Sequence, residues 1–230
     1  MERLSKKKAT VWLVATVLAP LVVGMALASV YISAWYARTG HRGQLPADVL
    51  QDGLLYTAPV ALWSVVGLWW VIHRRAASFG ELFGLRSDSV GLDVLYGVLL
   101  GAFWVVVYGL TGWPAFSDMF VLDGGKLASI PASLSAGFCE EFLFRGFVIL
   151  IIACAGGGTT ARLIVSSLAF AAAHMFWGPV GMLFTLALGL SFAAVSMHRG
   201  NVWSAVIAHS VLNLCIEPAL IDKALSFVQQ

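Results

Sequence analysis

The sequence contains few charged residues. Only 11% of its 230 residues are charged, whereas 60% are hydrophobic. Soluble domains contain about a quarter charged residues, so this composition excludes an ordinary soluble globular protein. The formal net charge of +2 is too small to indicate nucleic acid as a partner. The composition predicts an all-α fold, in which a polytopic bundle of transmembrane helices lies in the lipid bilayer.

Cysteine is also scarce. Cys139, Cys154 and Cys215 are an odd number and lie in apolar segments, so the sequence predicts neither a disulfide framework nor a C-x-x-C metal site. It has no evident internal repeat or low-complexity tract, and no polar stretch long enough to form a soluble domain. We therefore expect one integral membrane domain over residues 1–230.

Apolar runs near the length of about 20 residues that a helix needs to cross a bilayer occur repeatedly. They predict seven spans, with eight as the alternative count. The candidate spans are Thr10 to Tyr36, Tyr56 to Ile72, Leu92 to Leu110, Pro131 to Cys154, Leu163 to Phe176, Val180 to Met197 and Val202 to Ile216.

The basic residues predict the orientation of the bundle. The lysines at 6–8 precede the first apolar run, and Arg74 and Arg75 follow the second. Because cytoplasmic loops are rich in Lys and Arg, we expect a cytoplasmic N-terminus. The "MALAS" stretch resembles a signal-peptide cleavage site, but the apolar run continues past it, which favours an uncleaved anchor. The expected location is a membrane crossed several times, the plasma membrane in a prokaryote.

Three charged residues interrupt the fourth apolar run, in the stretch "GFCEEFLFRG". A charge at the centre of a span costs about 2.5 to 3.5 kcal/mol on insertion scales, so such residues usually face a cavity or a partner. Glu141 and Arg145 are four residues apart and share a helical face, whereas Glu140 is turned about 100° away. Glu141 is therefore expected to pair with Arg145, which leaves Glu140 as a candidate general base.

Three further polar side chains lie at membrane depth and could serve such a base. His174 ends "FAAAH", and His209 and Asn213 are four residues apart in "HSVLN". At about 1.5 Å per residue, Glu140, His174 and His209 lie roughly 14, 17 and 11 Å from the ends of their spans. All three depths are near the middle of a core about 30 Å thick, which predicts one shared site.

These motifs, taken in order, resemble a known family. "EEFLFR", "FAAAH" and "HSVLN" match the EExxxR, FxxxH and HxxxN signatures of the CAAX protease and bacteriocin-processing family of intramembrane peptidases, also called the Abi family. The resemblance covers Pro131 to Ile216, and the motif-bearing catalytic core is expected at about 131–217.

The resemblance implies a role for each motif residue. Glu140 and His174 would activate a water for attack on a peptide carbonyl, and His209 with Asn213 would stabilise the oxyanion. Glu141, Arg145 and Phe170 would support the site. The implied partner is a peptide or membrane-protein substrate, with or without a lipid attached.

Two questions remain open at the level of sequence. We expect a site without a metal, since there is no H-E-x-x-H motif, but Glu140, His174 and His209 could form a zinc set with one open position. The alternatives to a peptidase are a non-catalytic protein of the same fold, such as a bacteriocin-immunity or regulatory partner, and a small proton- or cation-coupled transporter.

Overall fold

The computed structural model describes residues 5–40, 84–111, 118–120 and 124–228. Regular structure in these ranges is entirely helical, without strands, as the composition predicted. The described residues form seven α-helices: α1 Lys6–Thr39, α2 Val90–Leu110, α3 Gly124–Glu141, α4 Ile149–Cys154, α5 Thr159–Ala173, α6 Gly178–Arg199 and α7 Trp203–Val228. A π-helical segment, Phe142–Val148, joins α3 to α4, and 3₁₀ turns occupy Asp118–Phe120 and Met175–Trp177.

The helices agree with the predicted spans in place, but less well in their bounds. The span at 56–72 lies outside the described residues. The span predicted from Pro131 begins instead at Gly124, with Pro131 inside α3. The α-helix in the fifth predicted span ends at Ala173. His174 follows it, and a 3₁₀ turn begins at Met175.

Two of the described helices, α2 and α6, are long and apolar enough to cross a bilayer. The apolar helix α5 and residues 203–216 of α7 are shorter. Because a 22-residue helix such as α6 is about 33 Å long, it matches the thickness of a hydrocarbon core. The described helices therefore support a membrane bundle, and the number of spans stays a prediction.

Helix α7 lies in the middle of the described bundle and packs against α2, α3 and α6. Its contacts with α2 and α3 are close because glycines face it. A Cβ at Gly97 of α2 would lie 2.6 Å from Cβ of Ile207, and one at Gly137 of α3 would lie 2.5 Å from Oγ of Ser210. Small residues let helix backbones approach closely in membranes, so these positions set the spacing around α7.

The largest fully buried side chains surround the π-helical segment. Four phenylalanines lead this set, and two of them belong to the segment itself: Phe142, Phe147, Phe170 and Phe192. All seven residues of the π-helical segment are buried. Glu141 and Arg145 of the fourth span therefore lie in a tightly enclosed part of the described fold.

A buried polar cluster fixes α2 to the turn between α6 and α7. Asp93 is 1% exposed. It accepts hydrogen bonds from Nε of Arg199 at 2.8 Å, from Nδ2 of Asn201 at 3.2 Å and from Oγ of Ser204 at 3.3 Å. The hydroxyl of Ser87 also donates to this carboxylate. A charged group so well satisfied can be buried, and it ties the start of α7 to α2.

Candidate active site

The three sequence motifs meet where α3, α5 and α7 come together. Glu140 and Glu141 are the last two residues of α3, and the π-helical segment begins directly after them. His174 immediately follows α5, and His209 lies within α7. Segments with π-helical hydrogen bonding are rare and often occur at functional sites, which is consistent with a functional site at this position.

Glu141 and Arg145 form a fully buried ion pair. Nη1 of Arg145 donates to Oε1 of Glu141 at 2.9 Å, and both side chains are 0% exposed. Nη2 of Arg145 donates to the carbonyl of Gly189 in α6 at 3.2 Å. The pair predicted from helical spacing is therefore present, and it also ties α6 to the end of α3.

Two aromatic rings enclose the Arg145 guanidinium. Its Cζ lies 4.4 Å from the ring centroid of Phe170 and 5.6 Å from that of Phe192. A desolvated guanidinium over an aromatic face gains about 2 kcal/mol or more. Phe170 thus contacts the guanidinium, and its supporting role stays a prediction. Phe192 was not predicted, because it lies in a charge-free apolar run with no distinguishing sequence signal.

His209 pairs with Glu141 rather than with Glu140. Its Nδ1 lies 2.8 Å from Oε1 of Glu141, and the imidazole is 7% exposed. A carboxylate can only accept, so Nδ1–H is the donor and the orientation of the ring is fixed. Sequence spacing missed this contact because it joins residues 68 positions apart. Glu141 therefore holds a cation on its own helix and an imidazole on another.

Glu140 and His174 form a second, more exposed pair. Oε2 of Glu140 lies 3.7 Å from Nε2 of His174, and the side chains are 30% and 18% exposed. This separation is too long for a direct hydrogen bond. Within the described ranges, Oε2 of Glu140 is itself buried and has no hydrogen-bond partner.

A backbone carbonyl fixes the tautomer of His174. Its Nδ1 lies 2.9 Å from the carbonyl oxygen of Phe170. Because a carbonyl can only accept, Nδ1–H donates, and in the neutral ring Nε2 is the acceptor. The acceptor nitrogen of His174 and the carboxylate of Glu140 consequently converge, an arrangement that suits one water held by both.

Asn213 follows His209 by one helical turn and is 8% exposed. No hydrogen bond joins it to the other predicted site residues in the part of the chain that the structure describes. The structure therefore brings together Glu140 with His174, and Glu141 with both Arg145 and His209. Asn213 shares the α7 face of His209, without a hydrogen bond to these pairs among the described residues.

The described side chains include no group of three that could hold a metal ion. Among the described residues, no three His, Cys, Asp or Glu side chains converge closely enough to do so. The set considered from sequence was Glu140, His174 and His209, and Glu141 engages only Nδ1 of His209, which leaves Nε2 as the ligand atom of that ring. A site without a metal stays a prediction.

Comparison with known proteins supports the resemblance seen in the motifs. A family model described as type II CAAX prenyl endopeptidase Rce1-like matches residues 125–215. The match runs from α3 into α7 and contains each of the candidate site residues. No curated protein and no solved structure matches the chain significantly. The suspected resemblance to the CAAX protease family is confirmed, which supports peptidase activity in general and a location in the membrane.

Proposed function

We propose that this chain is an intramembrane endopeptidase that hydrolyses a peptide bond with a water activated by Glu140 and His174. One observation carries the proposal. The Glu140 carboxylate and the acceptor nitrogen of His174 converge at 3.7 Å on partly exposed side chains, beside an ion pair that is fully buried. A base must be reachable by its substrate, and Glu140 is the more exposed of the two glutamates.

The proposed first step is a proton transfer coupled to attack. A water bound between Glu140 and His174 gives a proton to the Glu140 carboxylate while its oxygen forms a bond to the carbonyl carbon. As the intermediate collapses, the carbon–nitrogen bond breaks and the same proton passes from Glu140 to the leaving amine. His174 holds the water through Nε2, since its Nδ1 is occupied by the carbonyl of Phe170.

His209 and Asn213 are proposed to stabilise the negative charge that develops on the carbonyl oxygen. With Nδ1 of His209 donating to Glu141, an imidazolium can donate from Nε2 with Glu141 as its counter-charge. The side-chain amide of Asn213, one turn further on α7, is a second donor. In other hydrolases, removing one preorganised donor of this kind raises the activation free energy by about 3 to 4 kcal/mol.

The proposal uses no metal ion. Glu140 supplies the base, and the oxyanion is met by protein donors. The proposed setting is a protein that crosses the membrane several times, with its N-terminus in the cytoplasm. The proposed substrate is a peptide or a segment of a membrane protein, with or without a lipid, because the matched family is described by its prenylated substrates.

The test uses two fluorescence-quenched peptides of identical sequence. In one peptide, a farnesylated cysteine is followed by three C-terminal residues, and the other peptide carries no lipid. The purified chain in detergent micelles is expected to hydrolyse at least one of them and to place one ¹⁸O from labelled water in the new carboxylate. Activity is expected to persist in a strong chelator. Folded Glu140→Gln protein should release product at least about 100-fold more slowly.

Two results would count against this function. Failure of the folded wild-type chain to cleave either peptide would favour the non-catalytic alternative. Loss of activity in chelator, followed by its return with Zn²⁺, would replace the metal-free mechanism.

A further inference from the structure

Glu140 and His174 are the more exposed groups of the candidate site, with 30% and 18% of their side chains exposed. The other charged members are more deeply buried: as whole residues, Glu141 is 0% exposed, Arg145 3% and His209 6%. The residues that border the exposed pair are therefore those that a bound peptide would meet beside the scissile bond.

Trp177 borders this exposed pair. It ends the 3₁₀ turn Met175–Trp177 that directly follows His174. Its ring contacts the His174 imidazole edge-on, with centroids 5.8 Å apart and an interplanar angle of 81°. The side chain is 53% exposed, so the indole touches the His174 imidazole while much of its surface stays open.

Two glycines make this position possible. Gly178 has a φ of 73°, a backbone conformation that favours glycine, and it turns the chain from the 3₁₀ turn into α6. A Cβ at Gly181 would lie 2.5 Å from Cβ of Trp177, a separation that real side chains do not tolerate. The turn thus holds the indole against α6 through a close contact that a larger residue at 181 would prevent.

We propose that Trp177 is a specificity-determining residue that packs against an apolar side chain of the substrate, next to the bond that is cut. An extended peptide advances about 3.3 Å per residue. A residue adjacent to a carbonyl held at Glu140 and His174 therefore falls within reach of a ring whose centre is 5.8 Å from the imidazole. The exposed indole offers an apolar surface there, and it selects apolar over polar neighbours. This inference rests on the proposed peptidase activity.

The test compares two versions of the peptide that the wild-type chain hydrolyses, with Leu or Ser beside the scissile bond. Trp177→Ala is expected to raise KM for the Leu peptide about tenfold, the scale of a lost apolar contact. KM for the Ser peptide should stay unchanged, and kcat should remain within about twofold for both, since the indole binds without taking part in the chemistry.

Two further variants sharpen the experiment. Trp177→Phe keeps an aromatic ring and should restore most of the preference for Leu. Gly181→Ala keeps the Trp177 side chain but displaces its indole, so this variant should also raise KM for the Leu peptide. Val180→Ala is the matched control, because Val180 is 81% exposed on the same first turn of α6 and should change neither parameter.

The outcomes separate this inference from the proposed function. Equal KM increases for the Leu and Ser peptides, or a fall in kcat alone, would overturn the specificity role and assign Trp177 to holding His174. If Trp177→Ala does not fold, an unchanged Leu preference in Gly181→Ala would overturn it. An inactive wild-type chain would instead defeat the peptidase proposal itself.

Discussion

Adjacent glutamates have different surroundings here because one residue along a helix is a rotation of about 100°. Glu141 faces inward and meets Arg145 and His209 with its Oε1 atom. Glu140 faces the exposed side and meets His174 across 3.7 Å. We propose that the first carboxylate holds the site together and that the second acts on a water.

Replacing Glu141 by Gln is therefore expected to destabilise the protein. The change leaves Arg145, 3% exposed, without its counter-charge in an apolar interior, and breaking such a pair costs about 3 to 5 kcal/mol. Denaturant unfolding of the purified chain in micelles should show a loss of this size. Activity should also fall, because His209 loses the carboxylate that orients it.

Glu140→Gln is the matched control, since it makes the same substitution one residue earlier on a side chain that is 30% exposed. We expect little change in its unfolding free energy. Equal destabilisation by the two substitutions would contradict the division of roles between the glutamates.

Among the side-chain pairs of the site, the sequence could predict only the pair within a single helical segment. The spacing of four residues predicted the contact between Glu141 and Arg145, and the same rule separated Glu140 from it. No spacing rule could predict that His209 turns toward Glu141, because that choice depends on how α7 is rotated against α3. The roles given to Glu140, His174, His209 and Asn213 remain proposals.

At the scale of elements, the site depends on the distance between α3 and α7. Gly137 lies three residues before Glu140, on a neighbouring part of the same helical face. Ser210, which it contacts, is the residue after His209. The contact of Gly137 with Ser210 therefore lies directly beside the Glu141–His209 pair that joins the two helices.

Gly137→Ala is expected to separate these helices and to lower kcat. The new Cβ would lie 2.5 Å from Oγ of Ser210, so α7 must shift, and a displacement of about 1 Å in a catalytic group can cost on the order of 100-fold in rate. Steady-state kinetics should show the loss mainly in kcat. Adding Ser210→Gly removes the nearest atom and should restore part of the rate.

Gly91→Ala provides the control for this prediction. A Cβ at Gly91 of α2 meets nothing within 4 Å, so kinetics and stability should be close to those of the wild type. If Gly137→Ala turned over substrate as fast as this control, the spacing of α3 and α7 would not limit the reaction.

Element boundaries were harder to predict than element type. The fourth span was expected to be one continuous helix, but it changes to π-helical bonding at Phe142–Val148. That stretch is uniformly apolar apart from Arg145, so its sequence does not distinguish one helical bonding pattern from another. The buried Phe142 and Phe147 and the paired Arg145 all lie within this segment.

At the scale of the whole molecule, the all-α class followed from composition, since 60% hydrophobic residues with so few charges suit helices in lipid. The cluster around Asp93 did not follow from it. Asp93 of α2 and Arg199 of α6 meet across 106 positions of sequence. Contacts between distant segments leave no periodic signal in a single sequence.

The central claim is that Glu140 and His174 act as one unit on a water. A cycle of Glu140→Gln, His174→Gln and the double variant, each confirmed to be folded, tests it most directly through kcat on the cleaved peptide. Each single substitution is expected to lower kcat by about 10² to 10⁴, and the double variant should lose little more, because residues that act together are not additive. Multiplicative losses, or near-native turnover by Glu140→Gln, would contradict the claim.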